Sequence, residues 1–202
     1  MTVTFSERVR SQLRDEVLDA ASTAVFAGGW GALRMQAVAD QVGISRRTLY
    51  YEFGNKTGLA EALILRITAR FLDGVEAAFT SADDLSRGWE AAVLSALRAA
   101  EVDPVLSTVL TGNAREDFLP LLTSEGTQVI DHATTRMTDA ALTRWPELPS
   151  RETTLAAEAT VRLALSHIVR PGGDTGQAAH DIAELATGYL GGIDRTTRQP
   201  TA

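Results

Sequence analysis

Apolar residues recur at helical spacing along almost the whole chain, and no segment alternates apolar and polar residues over more than a few positions. The first such segment predicts a helix over about residues 6–27, because its apolar side chains fall every fourth residue and form one stripe. The stripe consists of Val9, Leu13, Val17, Ala21 and Val25. We expect Ser6 to cap the start of this helix and Gly28-Gly29 to end it.

Two short helices are predicted next, over about residues 35–42 and 45–51, joined by Gly43-Ile44-Ser45. A glycine lets the backbone enter the left-handed region that such a turn needs, and Ser45 can cap the second helix. These features predict a helix-turn-helix, with Leu49 and Phe53 buried behind the second helix. The outer side of that helix carries Arg46, Arg47, Thr48, Tyr50 and Tyr51. These side chains suit phosphate oxygens and major-groove base edges; the alternative is a helical corner with a solvated basic face.

The rest of the chain predicts further helices. The longest covers about residues 56–80, where apolar residues repeat at every fourth position from Leu59 to Phe79. Its length of roughly 35 Å is enough to leave a small N-terminal domain and enter a second one. Other helices are predicted at about 85–101, 103–110, 127–144, 150–169 and 175–192, the first of them capped by Asp83 or Asp84, with an irregular segment at 112–126. The predicted fold class is therefore all-α, with about nine helices.

The composition excludes several classes of protein. The 202 residues include no cysteine, which excludes disulfides, thiolate metal sites and cysteine nucleophiles. No apolar run approaches the ~18 residues that cross a bilayer, and the N-terminus lacks the apolar core of a signal peptide, so we expect a cytosolic protein. Arginine supplies 18 of the 19 cations and alanine is very frequent, which hints at a GC-rich, bacterial genome.

The net charge of −7 is unevenly distributed. Residues 1–58 hold seven basic and six acidic groups, whereas the remainder holds 12 basic and 20 acidic groups. The N-terminal part is therefore the region that we expect to face a polyanion.

The stretch GGWGALRMQAVADQVGISRRTLYYEFGNKTGL, residues 28–59, resembles the DNA-binding domain of the TetR (tetracycline-repressor) family of bacterial transcription regulators. The elements that match at the family spacing are Val38-Ala39, Gly43-Ile44-Ser45, Thr48-Leu49-Tyr50, Phe53, Lys56 and Leu59. Nine helices in about 200 residues also match the family. The resemblance implies a helix-turn-helix DNA-binding domain at residues 1–56, a helical effector-binding and dimerisation domain at 57–194 and a flexible tail at 195–202.

Carried over residue by residue, the resemblance implies a DNA-binding surface. Arg46, Arg47 and Thr48 would meet bases, while Lys56 would meet a phosphate at a helix N-terminus. The full set is Arg34, Gln36, Ser45, Arg46, Arg47, Thr48, Tyr50, Tyr51 and Lys56. Two positions depart from the family pattern. Arg34 stands where the family often has a capping Thr or Ser, and Glu52 costs affinity for DNA unless it is paired, for example with Arg46 or Arg47, or turned away.

The resemblance also implies that the C-terminal helices bind a small effector and form a dimer. The effector candidates are Trp89, Asn113, Phe118, His132 and Arg136, with Trp145 as a further aromatic; the alternative for each is an ordinary core, turn or solvated residue. The dimer candidates are Ala159, Leu163, Ile182, Ala186 and Tyr189, for which the alternative is an intramolecular core. His132, His167 and His180 lie at no ligand spacing, so no metal site is expected.

The predicted function is a homodimeric, sequence-specific transcription regulator of the cytoplasm, associated with the nucleoid. The favoured interpretation is a repressor that an unknown small molecule releases from a near-palindromic operator in double-stranded DNA. An activator, or a regulator controlled by a protein partner, is the alternative. An enzyme is not expected, because the sequence shows no nucleophile–base pair, phosphate loop or metal cluster. No cofactor and no membrane partner are expected either.

Overall fold

The structure, a computed structural model, describes residues 4–103, 106–107 and 119–197, with the backbone alone for 119–129 and 193–197. Over these residues the fold is all-helical, as predicted. The helices are α1 (Phe5–Gly28), α2 (Met35–Val42), α3 (Arg46–Phe53), α4 (Lys56–Thr80), α5 (Leu85–Val102), α6 (Leu119–Arg144), α7 (Ser150–Val169) and α8 (Thr175–Thr197). A 3-10 turn at Trp30–Ala32 lies between α1 and α2. None of the described helices is long and apolar enough to cross a membrane.

The chain divides into two compact units, which meet in sequence at Ile67 and Thr68, inside α4. In the N-terminal unit, α1 packs against α2, and α2 packs against α3. Its fully buried side chains include Val17, Ala21, Leu33, Val38, Leu49, Leu59 and Leu63. The predicted burial of Leu49 and Phe53 behind α3 is confirmed, since both side chains are buried.

The start of α1 differs from the sequence-based expectation. Thr4, rather than Ser6, caps the helix: its Oγ1 accepts a hydrogen bond from the backbone N–H of Glu7 at 3.3 Å. The Glu7 carboxylate in turn accepts the backbone N–H of Thr4 at 2.8 Å. This reciprocal pair satisfies two helix N-terminal donors, whereas Ser6 lies within the helix. The hydrogen bond from Thr4 also lowers the pKa of Glu7.

The junction between α3 and α4 is tight. A Cβ atom at Gly58 would lie 2.2 Å from the backbone oxygen of Phe53, so a larger residue would force the two helices apart. Asn55 Oδ1 accepts the backbone N–H of Gly58 at 2.9 Å, which caps the N-terminal end of α4. As predicted, α4 begins at Lys56 and ends at Thr80.

In the second unit, α5 packs against α7 and α8, α7 packs against α8, and α6 packs against α7. The aromatic centre of this core is Phe79, whose ring meets those of Trp89 and Trp145 edge-on at centroid distances of 5.6 and 5.4 Å. Such edge-to-face pairs add to the stabilisation that burial provides. Alanines of α5 to α8, including Ala92, Ala141, Ala157 and Ala183, let the helices approach closely around it.

Three predicted boundaries need comment. The prediction of irregular structure up to residue 126 is wrong for 119–126, because α6 begins at Leu119. Pro120 lies in the first turn, where its missing N–H costs no helical hydrogen bond, and an interior glycine such as Gly126 costs only ~1 kcal/mol. At the other end, α8 continues to Thr197, beyond the predicted end at residue 192. The helix predicted at 103–110 lies largely outside the described residues; Leu106 and Ser107 are helical.

Candidate DNA-binding surface and ligand cavity

The α2–α3 corner has the geometry of a helix-turn-helix. Gly43 ends α2 in the left-handed region, with φ 76° and ψ 29°, a conformation that strains any residue with a Cβ. The chain then reverses because the backbone N–H of Ile44 donates to the carbonyl oxygen of Ala39 at 3.0 Å. Ser45 caps α3, since its Oγ accepts the backbone N–H of Thr48 at 3.0 Å. The predicted turn and cap are confirmed.

The outer surface of α3 carries exposed donors and phenols. Arg46 Nη2 donates to the phenol oxygen of Tyr50 at 3.1 Å, and its guanidinium lies 5.2 Å from the centre of that ring. This contact restrains both side chains before any ligand binds. Arg47 is exposed and makes no hydrogen bond or ion pair within the described part of the chain. Tyr51 is 79% exposed. These groups are therefore available to phosphate oxygens and base edges.

Glu52 turns away from this surface. Its side chain is only 8% exposed, and its carboxylate accepts Arg10 Nε at 2.9 Å and Arg14 Nη1 at 3.5 Å. The sequence had suggested Arg46 or Arg47 as the partner, and that suggestion is wrong. Arg14 also donates to the backbone oxygen of Glu52 at 3.0 Å, near the C-terminus of α3, and its guanidinium lies 4.5 Å above the ring of Phe53. The interaction with Glu52 raises the pKa of Arg10.

The remaining DNA-site candidates flank the α3 surface in sequence. Arg34 is the N-cap residue of α2, where its side chain makes no capping bond; its Nη1 donates instead to the carbonyl oxygen of Gly31 at 3.2 Å. Gln36 is exposed and donates to Asp40 Oδ1 at 2.7 Å. Lys56 is half-buried at the first residue of α4. Helix N-termini favour anions, so this position can receive a phosphate.

The second unit contains an apolar cavity between α4, α5, α6 and α7, with a volume of about 710 Å³ including its mouth. That figure includes solvent space at the mouth, and the volume open to the centre of a water-sized molecule is about 70 Å³. Its lining consists of Phe71, Leu72, Val75, Glu76 and Phe79 from α4, Ala92, Val93 and Ala96 from α5, Ala133, Arg136, Met137 and Ala140 from α6, and Thr160, Val161, Ala164, Leu165 and Ile168 from α7. Sequence analysis singled out only Arg136 among them as an effector candidate.

Arg136 bridges α6 and α4 beside this cavity. Its Nε donates to Glu76 Oε2 at 2.9 Å, its Nη2 donates to the same oxygen, and its Nη1 donates to Asp73 Oδ1 at 2.8 Å. Although partial burial alone lowers the pKa of Arg136, the hydrogen bonds with Glu76 and Asp73 outweigh burial, and the net shift is upward. The guanidinium therefore stays charged and is held by two carboxylates.

Comparison with known proteins places these features in a family. The family profile described as "Bacterial regulatory proteins, tetR family" matches residues 17–63, and that described as "Bacterial Tetracyclin repressor, C-terminal domain" matches residues 84–188. The chain belongs to the TetR family of bacterial transcriptional regulators. Members of this family are regulators rather than enzymes.

Individual TetR-family relatives cover most of the chain. The HTH-type transcriptional regulator AlkX of Mycobacterium tuberculosis is 33% identical over 191 residues, which cover 93% of this chain and 89% of the relative. Among solved structures, the repressor AlkX from Dietzia sp., implicated in biodegradation of n-alkanes, is 29% identical with a TM-score of 0.70 and covers 88% of this chain and 97% of that one. FadR of Bacillus subtilis in complex with stearoyl-CoA shares the fold at 15% identity, with a TM-score of 0.57 over 85% of this chain and 96% of that one.

Among the described residues, the effector candidates Trp89 and His132 of this TetR-family protein are absent from the cavity lining. Trp89 is fully buried in the core, and its Nε1 donates to Thr160 Oγ1 at 2.7 Å. His132 is exposed on α6. Asn113 and Phe118 lie outside the described residues. The acidic partners Asp73 and Glu76 were missed, because they are separated from Arg136 by 63 and 60 residues and have no local spacing that marks them.

The helices α7 and α8 also present an apolar groove on the surface of this unit. Large apolar side chains stand along it, namely Leu155, Leu163, Leu185 and Tyr189, which are between 41% and 65% exposed. Ala159 is also exposed, whereas Ile182 and Ala186 are buried at the base of the groove. All five predicted dimer residues therefore line one groove.

Proposed function

We propose that the protein is a homodimeric repressor, working in the cytoplasm on the nucleoid, that a small molecule releases from a near-palindromic operator. The observation that carries the proposal is the α3 surface, where Arg46, Arg47 and Tyr51 are exposed. The one carboxylate of α3, on Glu52, is withdrawn onto Arg10 and Arg14. A helix with this arrangement can approach a polyanion without like-charge repulsion from its own acid.

Within this surface we assign two kinds of contact. Arg47 reads a base, since an exposed guanidinium can form a bidentate pair with guanine. The other polar residues position the helix on phosphates or adjoining bases. They are Arg34, Gln36, Ser45, Thr48, Tyr50 and Lys56. Replacing Lys56 by Ala should therefore weaken binding to all duplexes alike. It should also reduce the slope of log affinity against log salt concentration by about one. Replacing Arg47 should instead change the base preference.

The α7–α8 groove supports the dimer. Its exposed Leu155, Leu163, Leu185 and Tyr189 form a continuous apolar surface of the kind that marks a protein interface. A two-fold dimer would bring the same groove of both protomers together. Two recognition helices would then read half-sites about one turn of DNA apart, roughly 34–36 Å, which is why we expect a near-palindromic operator.

The cavity supports a small-molecule effector. FadR of Bacillus subtilis is described in complex with stearoyl-CoA, and AlkX of Dietzia sp. is implicated in n-alkane biodegradation, so ligands with aliphatic chains are suitable candidates. Helix α4 contributes cavity residues from Phe71 to Phe79 and begins at Lys56. A ligand that favours a position of α4 incompatible with the operator would release the repressor, because a ligand shifts an equilibrium only by its differential affinity.

Reciprocal titration tests this mechanism. Operator affinity is measured by fluorescence anisotropy on a duplex selected from a random pool, with and without ligand. Ligand affinity is then measured by calorimetry, with and without saturating operator. Linkage requires the two affinities to fall by the same factor. A ligand that binds equally well with and without operator contradicts release by a small molecule and leaves control by a protein partner.

A further inference from the structure

We propose that the cavity selects the aliphatic chain of an uncharged molecule, such as an alkane or a long-chain alkanol, and discriminates against the ionised carboxylate of the same length. The inference deepens the proposed function, because it rests on the cavity being the effector site. Two observations support it. The lining is apolar, and Arg136, the one cation among the described lining residues, is already paired with two carboxylates.

The lining offers a ligand almost no polar contact. Of the described residues that form it, only Glu76, Arg136 and Thr160 carry polar side-chain atoms. The hydroxyl of Thr160 is already engaged, because it donates to the carbonyl oxygen of Ala156 at 2.8 Å and accepts the Trp89 indole N–H at 2.7 Å. A polar group placed deep in the cavity would therefore lose water without gaining a donor.

Arg136 does not provide an anion site in its present arrangement. All three of its guanidinium nitrogens donate to Asp73 or Glu76. Two carboxylates against one guanidinium leave the cluster with a net charge of −1. A carboxylate ligand would have to displace Glu76 from Arg136 and remain close to Asp73, whereas an uncharged chain pays neither cost.

The shape of the walls agrees with a chain rather than a ring system. Small residues from three helices face the cavity, namely Ala92, Ala96, Ala133, Ala140 and Ala164. The larger lining residues, such as Leu72, Phe79 and Met137, are apolar groups that can make van der Waals contact with methylenes. Affinity should therefore grow with each methylene that the cavity can bury, by about three- to fourfold.

Three matched series of straight-chain probes test the selection, each with 8, 10 and 12 carbons and each below its micellar concentration: 1-alkanols, carboxylates at pH 8 and alkyltrimethylammonium salts. Calorimetry on the DNA-free protein should show the alkanols binding with a gain of about three- to fourfold per methylene. The carboxylates should bind about tenfold or more weakly at equal length. Carboxylates that bind as well as the alkanols, or ammonium salts that bind tenfold better, overturn the proposal.

A charge variant sharpens the test. The double variant Asp73→Asn/Glu76→Gln leaves the Arg136 guanidinium without anionic partners, so the carboxylates should gain at least tenfold relative to the alkanols. The matched control Asp83→Asn/Glu147→Gln changes the net charge equally at exposed positions outside the cavity lining and should leave the ratio unchanged. If both double variants change the ratio of carboxylate affinity to alkanol affinity alike, the discrimination comes from overall charge, and the assignment to Arg136 is wrong.

Failure of this inference can be separated from failure of the proposed function. Alkanols that bind the free protein but leave operator affinity unchanged support the ligand class and contradict release. If none of the three series binds while the protein still binds its operator, the repressor stands and the selection for an uncharged chain is refuted. Circular dichroism and thermal melting of each variant establish that it is folded.

Discussion

The α3 surface takes its polar side chains from eight consecutive residues, Arg46–Phe53, whereas the cavity takes its lining from four helices between Phe71 and Ile168. The first is a set of exposed donors on a short capped helix, so local sequence defines it. The second is a set of small and apolar side chains that become neighbours only when the helices pack. A DNA-binding surface of this kind can therefore be recognised from one segment of sequence, whereas a ligand site built from four helices cannot.

Because DNA binding is proposed to need two copies of the α3 surface, the largest effect should come from a substitution far from it in sequence. Leu185→Glu places a charge on the exposed α7–α8 groove, where Leu185 is 65% exposed, so the protomer should still fold. We expect dissociation of the dimer in sedimentation, and a fall in operator affinity of about a hundredfold or more, since the second half-site is no longer tethered. Val102→Glu, at another exposed apolar position, is the matched control. An unchanged dimer in both variants contradicts the interface.

The variant Arg47→Ala should alter DNA recognition and leave ligand binding in the cavity unchanged. Loss of a bidentate arginine–guanine pair should cost ~1–3 kcal/mol of discrimination at one base pair. Affinity for the uncharged chain should stay as in the parent. Selection of operators from a random pool, followed by calorimetry with 1-decanol, measures both quantities. Unaltered base preference would show that Arg47 does not read the DNA.

The variant Ala164→Leu should weaken ligand binding in the cavity and leave DNA binding unchanged. Ala164 lines the cavity and is buried, so a larger side chain occupies space that a ligand chain needs. We expect ligand affinity to fall by about tenfold and operator affinity to remain, with the melting temperature showing whether overpacking has disturbed the fold. Ala69→Leu, an exposed position of α4 outside the lining, is the control. Equal ligand affinity in the two variants would place the ligand elsewhere.

Glu52→Gln probes the part of the DNA-binding unit that depends on tertiary contact. The change leaves Arg10 and Arg14 without their carboxylate, and both are partly exposed, so we expect only a small loss in the free energy of unfolding. The two freed guanidinium groups should strengthen binding to a scrambled duplex and so lower the ratio of operator to scrambled affinity. Glu16→Gln removes the same charge from an exposed position of α1 and serves as the reference. A ratio that falls equally in both variants would mean that only net charge matters.

The smallest predicted effect is a pH dependence of thermal stability that comes from His180 on α8. Its hydrogen bond with Glu90 on α5, and the nearby charges of Glu184 and Asp181, raise its pKa. A raised pKa means that the charged form stabilises the folded state. That contribution is complete below the unfolded-state value near 6.5, and it is lost as the pH rises through the higher folded value. Thermal melting between pH 5.5 and 8 should show this dependence in the parent and lose it in both His180→Gln and Glu90→Gln. Persistence of the dependence in Glu90→Gln would exclude this pair as its source.

The sequence by itself determined the helix-turn-helix, because its signals act within a few residues. Gly43 must adopt a positive φ, Ser45 can reach the backbone N–H of Thr48, and the fourth-residue spacing of α4 sets a helix from Lys56 to Thr80. Hydrophobic periodicity and caps are local, so the bounds of α2 and α4 were predicted to the residue.

Tertiary structure decided what lies far apart in sequence. The partners of Glu52 are 42 and 38 residues away, and no spacing distinguishes Arg10 and Arg14 from the nearer Arg46 and Arg47. The same holds for Arg136, whose contacts with Asp73 and Glu76 arise only when α6 packs beside α4. An alanine is ordinary in any helix, and only the packing of four helices makes Ala96, Ala140 and Ala164 the wall of a cavity. Charge pairing and enclosed volume are properties of the packed chain, so they appear only once the helices have found their neighbours.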